Sequence, residues 1–127
     1  MVARKDELIK LQDRIAAATG RDDDLDRLIG RVLDDPPGAV DAINYTGSVD
    51  ACIALIGRVL PHWHWHVGHG PSGILPYAVL TEDGDAGRRF EASSCTVPLA
   101  LLGAVAAAKR AERPRRNARR RSGYSRG

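Results

Sequence analysis

The amino-acid sequence predicts an α+β domain followed by a basic tail, and three patterns carry the prediction. Apolar residues recur at helical spacing in the segments 7–18, 22–33 and 49–60. His62-Trp63-His64-Trp65-His66-Val67 alternates with a period of two. An alanine-rich helical segment then runs from Val97. Helices grouped before a run of strands, with a helix after it, imply about four helices and a small antiparallel sheet of two to three strands.

The first helix is expected over Glu7–Ala18, with Leu8, Leu11, Ile15 and Ala18 on one face. Thr19-Gly20 stops it, because glycine after a helix readily takes the left-handed conformation. Asp22-Asp23-Asp24 opens the second helix, where a carboxylate accepts from free backbone N–H groups and favours the positive end of the dipole. Leu25, Leu28, Ile29 and Val32 form its stripe, and Asp34-Asp35-Pro36-Pro37-Gly38 ends it. Ser48 is the expected N-cap of a third helix, Val49–Leu60. Its apolar face takes in Val49, Cys52, Ile53, Ile56, Val59 and Leu60, and Pro61 closes it.

In the strand that follows, Trp63, Trp65 and Val67 share one face and read as core, while His62, His64 and His66 share the other. Gly68 to Gly73 reads as a hairpin loop. Its GxGxxG spacing is no dinucleotide fingerprint, since strand rather than helix follows and Pro71 interrupts it. Tyr77–Thr81 is a second strand, Glu82–Gly87 a turn, and Arg88–Ala92 a short third strand. Thr96 caps the last helix, Val97–Ala111, with Pro98 in the first turn where a missing N–H is tolerated. Leu101, Leu102 and Val105 pack it, its alanines allow close approach to the sheet, and Pro114 ends it.

A chain of 127 residues holds one core. No apolar run approaches the roughly 20 residues that cross a bilayer, and the mixed-charge start lacks a signal-peptide pattern. Two cysteines make no disulfide framework, so reduced thiols are expected. The net charge of +3 hides an asymmetry. Residues 1–108 hold ten Lys or Arg against fifteen Asp or Glu (−5), and residues 109–127 hold nine against one (+8). From Arg115 the only aliphatic residue is Ala118, so this part is expected to be disordered when free.

Four pieces in order point to a family: Ala-Ala-Ala-Thr-Gly (16–20) with the acidic helix around Leu25 after it; Tyr45-Thr46-Gly47-Ser48-Val49-Asp50-Ala51; Trp63-His64-Trp65-His66-Val67; and Thr96-Val97-Pro98-Leu99-Ala100-Leu101-Leu102. Together they resemble the small phage and prophage proteins that carry the phage ABA sandwich domain. The resemblance implies a layered α/β/α sandwich over residues 8–112, with the Arg-rich tail 113–127 outside it. It implies a phage- or prophage-encoded protein of unknown specific function in the host bacterial cytoplasm, with no catalytic residues to carry over. Tyr45, Ser48, Asp50, Trp63, Trp65 and Pro98 then read as caps, core and helix start, and the His/Trp strand as the central strand of the sheet. This chain departs from the family pattern in placing histidine at every position between the aromatic ones.

The expected function is binding without catalysis or cofactor: a host or phage macromolecule is the partner, no membrane is involved, and the oligomeric state is left open. An acidic body suits a basic partner surface. The first alternative is DNA or RNA binding through Arg113, Arg115, Arg116, Arg119, Arg120 and Arg121, whose guanidinium groups contact phosphates bidentately. Tyr124 adds a ring able to stack on an unpaired base. The second alternative is a metal site of His62, His64 and His66, with imidazoles about 7 Å apart along one face. Other candidates have simpler explanations: the aspartates are caps and turns, Cys52 is a small buried hydrophobe, and Cys95 lacks a base partner.

Overall fold

The structure, a computed structural model, describes residues 5–33, 43–70, 75–84 and 87–112. The stop expected at Asp34–Gly38, most of the loop at Pro71–Gly73 and the tail from Arg113 lie outside these residues. The elements are α1 (Lys5–Ala17), α2 (Asp23–Leu33), α3 (Val49–Val59), β1 (Trp63–His69), β2 (Pro76–Glu82), β3 (Arg89–Ser93) and α4 (Val97–Ala111). The expected α+β order of four helices and a small antiparallel sheet is what the structure shows, with boundaries moved by a residue or two.

Three of the four helix starts have a side-chain cap. The backbone N–H of Leu25 donates to Asp22 Oδ1 at 3.0 Å, so Asp22 caps α2. Ser48 Oγ accepts from Ala51 N–H at 3.1 Å, and Thr96 Oγ1 from Leu99 N–H at 3.2 Å. These hydroxyls satisfy donors that the first helical turn leaves unpaired.

The sheet is antiparallel in the order β1-β2-β3. Trp65 pairs with Leu80 and Leu80 with Phe90, and directly opposed residues share a face. One face therefore carries Trp63, Trp65, Val67, Ala78, Leu80, Phe90 and Ala92. The other carries His64, His66, Tyr77, Val79, Thr81, Arg89, Glu91 and Ser93. The β2–β3 turn contains Gly84 at φ +100° and Gly87 at φ +54°, values that side chains disfavour.

Helix α4 lies on the first face, against β2 and β3, and makes the principal contacts between helices and sheet. It also carries α1 and α3, and α2 packs on α1. Leu99, Ala100, Leu101 and Leu102 are all buried, and successive helical residues point about 100° apart, so α4 is enclosed on every side over this turn, while Gly103, Ala107 and Arg110 form a partly exposed stripe beyond it. Its small residues permit that enclosure. A Cβ on Gly103 would meet Ala92 Cβ of β3 at 3.2 Å and Ile15 Cγ2 of α1 at 3.9 Å. Among the described residues the layers thus run sheet, α4, then α1 with α3, and no helix covers the sheet's second face, where Val79 is buried between its neighbours.

Two expectations about the His/Trp strand are corrected. It is an edge strand, because two consecutive hairpins place β2 in the middle. Only one of its tryptophans is core: Trp63 is 8% exposed, and Trp65 is 42% exposed. The cause is the seat of α4, which lies over β2 and β3 and reaches β1 only at its margin.

Gly103→Val inserts branched bulk where α4 already touches Ala92 and Ile15. It should lower unfolding stability by about 1–3 kcal/mol in urea titration. An unchanged midpoint would mean that α4 has slack against the sheet.

Candidate functional site

The open face of the sheet is where exposed polar and aromatic side chains gather. His64 and His66 stand out from β1, Arg89 and Glu91 from β3, and half-buried Tyr77 and Thr81 from β2. Strand alternation sets this pattern, since the partners of these residues on the other face form the core. The Tyr77 ring lies across Gly68, where a Cβ would meet the phenol oxygen at 3.0 Å, and its centroid is 6.0 Å from that of His66. Glycine in β1 therefore makes the bed for the ring. His64 Nε2 meets Asp83 Oδ1 beyond the end of β2, and Arg89 lies 3.8 Å from Glu91. The surface offers two imidazoles and a phenol for stacking and hydrogen bonding, with its charges largely paired.

The histidine triple divides on folding. His62 lies in the turn before β1, while His64 and His66 stay on the strand's open face, His64 with Asp83. Among the described residues, no three His, Cys, Asp or Glu side chains come together closely enough to hold a metal ion. The arginine cluster from Arg113 to Arg121 lies outside the described residues. The chain enters it from α4, whose C-terminus is fixed to one end of the sheet.

Arg88 does that fixing, a role that no pattern in the residues marks. Its Nε and Nη2 donate to Glu82 Oε1 and Oε2 at 2.8 and 3.1 Å, and its Nη1 donates to the Ala111 carbonyl at 2.8 Å. The guanidinium carbon sits 5.8 Å from the centroid of the Trp63 ring, which tilts against Phe90. One side chain thus joins the β2–β3 turn, the end of α4 and the start of β1. The hydrogen bonds and charge of Arg88 hold the Glu82 carboxyl below its usual range, against some desolvation.

A second polar cluster lies inside. Thr46 N–H and Oγ1 both donate to Asp26 Oδ1, at 2.7 and 2.8 Å, and Asp22 N–H donates to Thr46 Oγ1 at 2.8 Å. Cys52 Sγ donates to the Tyr45 carbonyl at 3.1 Å. Burial, with the Asp26 charge nearby, pushes its thiol up to about 12, which removes it as a nucleophile. These groups are nearly inaccessible and join the 44–47 turn to α2 and α3, so they serve the fold. Asp26 was legible in principle: it stands three before Ile29 and seven before Leu33, on the buried stripe. Cys95, in contrast, is exposed.

Comparisons with protein-family models, with curated proteins and with solved structures give no match for this chain. No helix among the described residues is long and apolar enough to cross a membrane.

The Glu82–Arg88 pair makes stability depend on pH with a definite sign. The folded carboxyl titrates below its ordinary value of 4.5. Its stabilisation is therefore complete above pH 4.5 and is lost as pH falls through the lower, folded value. Urea midpoints should decline on acidification through that window, and Glu82→Gln should flatten that part of the decline. An identical pH profile in the variant would remove Glu82 as its source.

Proposed function

We propose that this chain is a phage- or prophage-encoded, non-enzymatic protein that binds a host or phage macromolecule in the bacterial cytoplasm. The observation that carries the reading is charge segregation: −5 over residues 1–108 against +8 over residues 109–127. Such a chain presents one sign of charge to a partner from its body and the other from its tail. The phage assignment is supported by the resemblance of four segments to the ABA sandwich proteins. The described groups with chemical potential inside the domain, Cys52 and Asp26, are tied into packing and hydrogen bonds.

A nucleic-acid reading has one observation in its favour. Arg88 ties the end of α4 to the end of the sheet that bears His64 and Arg89, so the arginines after Glu112 follow on from that end. In this reading Arg113, Arg115, Arg116, Arg119, Arg120 and Arg121 contact phosphates, and the tail supplies the affinity.

One experiment separates the two. The full chain and a chain ending at Glu112 are used to capture material from a bacterial lysate, with and without nuclease. A protein retained at near-equal stoichiometry by both chains supports partner binding through the body. Retention by the full chain alone, abolished by nuclease, supports the nucleic-acid reading. Its affinity for a labelled duplex should then fall about 10³-fold between roughly 50 and 200 mM salt. Nothing retained by either chain would contradict both.

A further inference from the structure

The two edges of the sheet are built differently. The outer edge of β3 carries the charges of Arg89 and Glu91, both exposed, and charged side chains are a common guard against edge-to-edge pairing. The outer edge of β1 has no such guard. Trp63-His64-Trp65-His66-Val67-Gly68-His69 contains no Lys, Arg, Asp or Glu and no proline, and exposes Trp65.

Among the described residues, most of the main chain of β1 is also unpaired on that side. Asp83 N–H donates to the His62 carbonyl at 2.9 Å and Gly70 N–H to the Leu75 carbonyl at 3.1 Å, at the two ends of the register. These bonds fix the phase of the ladder: His62, His64, His66, Gly68 and Gly70 turn their main-chain groups to β2. Trp63, Trp65, Val67 and His69 turn theirs outward. Trp63 N–H finds the Leu60 carbonyl at 3.1 Å. Among the described residues nothing meets the outward groups of Trp65 and Val67.

We propose that the outer edge of β1 is a homodimer interface, in which two copies join their sheets by antiparallel pairing centred on His66. His66 is the midpoint of the strand, so a two-fold axis through it overlaps the whole of β1 with itself. Trp65 N–H then donates to the carbonyl of Val67 in the partner copy, Val67 N–H to that of Trp65, and His69 N–H to that of Trp63. Trp63 N–H keeps its bond to Leu60. On the helix-bearing face exposed Trp65 comes to rest against Val67 of the partner copy. An uncharged edge is compatible with a second copy of itself, whereas a two-fold axis through Glu91, the midpoint of β3, would set two Glu91 carboxylates directly opposite each other. A seven-residue strand spans only ~23 Å. The interface is therefore smaller than the ~1,600 Å² of a standard complex, and the dimer is reversible.

Pairing of this edge does not depend on the identity of any macromolecular partner, and the full chain alone suffices to detect it. Sedimentation equilibrium over about 1–500 µM should show a reversible monomer–dimer transition, as expected of a small interface. Val67→Pro removes an outward N–H and leaves the ladder to β2 intact, as proline is tolerated at such edge positions. It deletes one bond from each copy, so association should weaken about 30-fold with an unchanged circular-dichroism spectrum. Should Val67→Pro perturb the fold, Trp65→Lys places a charge at the same edge and should also weaken association. Wild-type protein that stays monomeric across the range, or a Trp65→Lys variant that dimerises as wild type does, would overturn the proposal.

Discussion

Leu99, Ala100, Leu101 and Leu102 point in four directions around α4, and all four are buried. A helix in that position needs partners on every side, and the rest of the fold supplies them. The sheet covers one flank, α1 and α3 cover others, and α2 reaches the core through α1. Small residues make the geometry possible. At Gly103 both β3 and α1 stand within 4 Å of where a Cβ would be, so even one added branch has no free volume to occupy.

Because α4 sits over β2 and β3, β1 lies at the margin of the helix layer. The same seat that buries Leu80 leaves Trp65 exposed. Polar anchors then hold the periphery to the central helix. Arg88 ties the end of α4 to Glu82 and stands over Trp63. At the other end of the helix cluster, buried Asp26 receives both the amide and the hydroxyl of Thr46. A buried carboxylate is tolerated only when its acceptor capacity is used, and here the 44–47 turn uses it.

Much of this was legible in the residues. Period and punctuation gave all four helices and all three strands, and the hydroxyls of Ser48 and Thr96 marked helix starts that the structure keeps. Alternation separated the His face of β1 from its Trp face. It could not say which strand would lie under α4, so Trp65 read as core although only Trp63 is. Strand order depends on how hairpins close, which a pattern of side chains along one strand does not encode. Arg88 was invisible for a related reason: its partners Glu82 and Ala111 lie 6 and 23 positions away, and only the folded arrangement brings them together. The open face was readable as polar. Its grouping of His66 with Tyr77 depends on the register that places Tyr77 opposite Gly68.

Helix α4 is the element on which the other layers depend. Native-state hydrogen exchange at increasing denaturant tests this dependence most directly, because it resolves which amides open only when the whole domain unfolds. The amides of Leu102 to Ala106 should exchange only through global unfolding, while those at the outer edge of β1 and in α2 open at lower free energy. Exchange of α4 by local opening, with α1 or the sheet still protected, would contradict it.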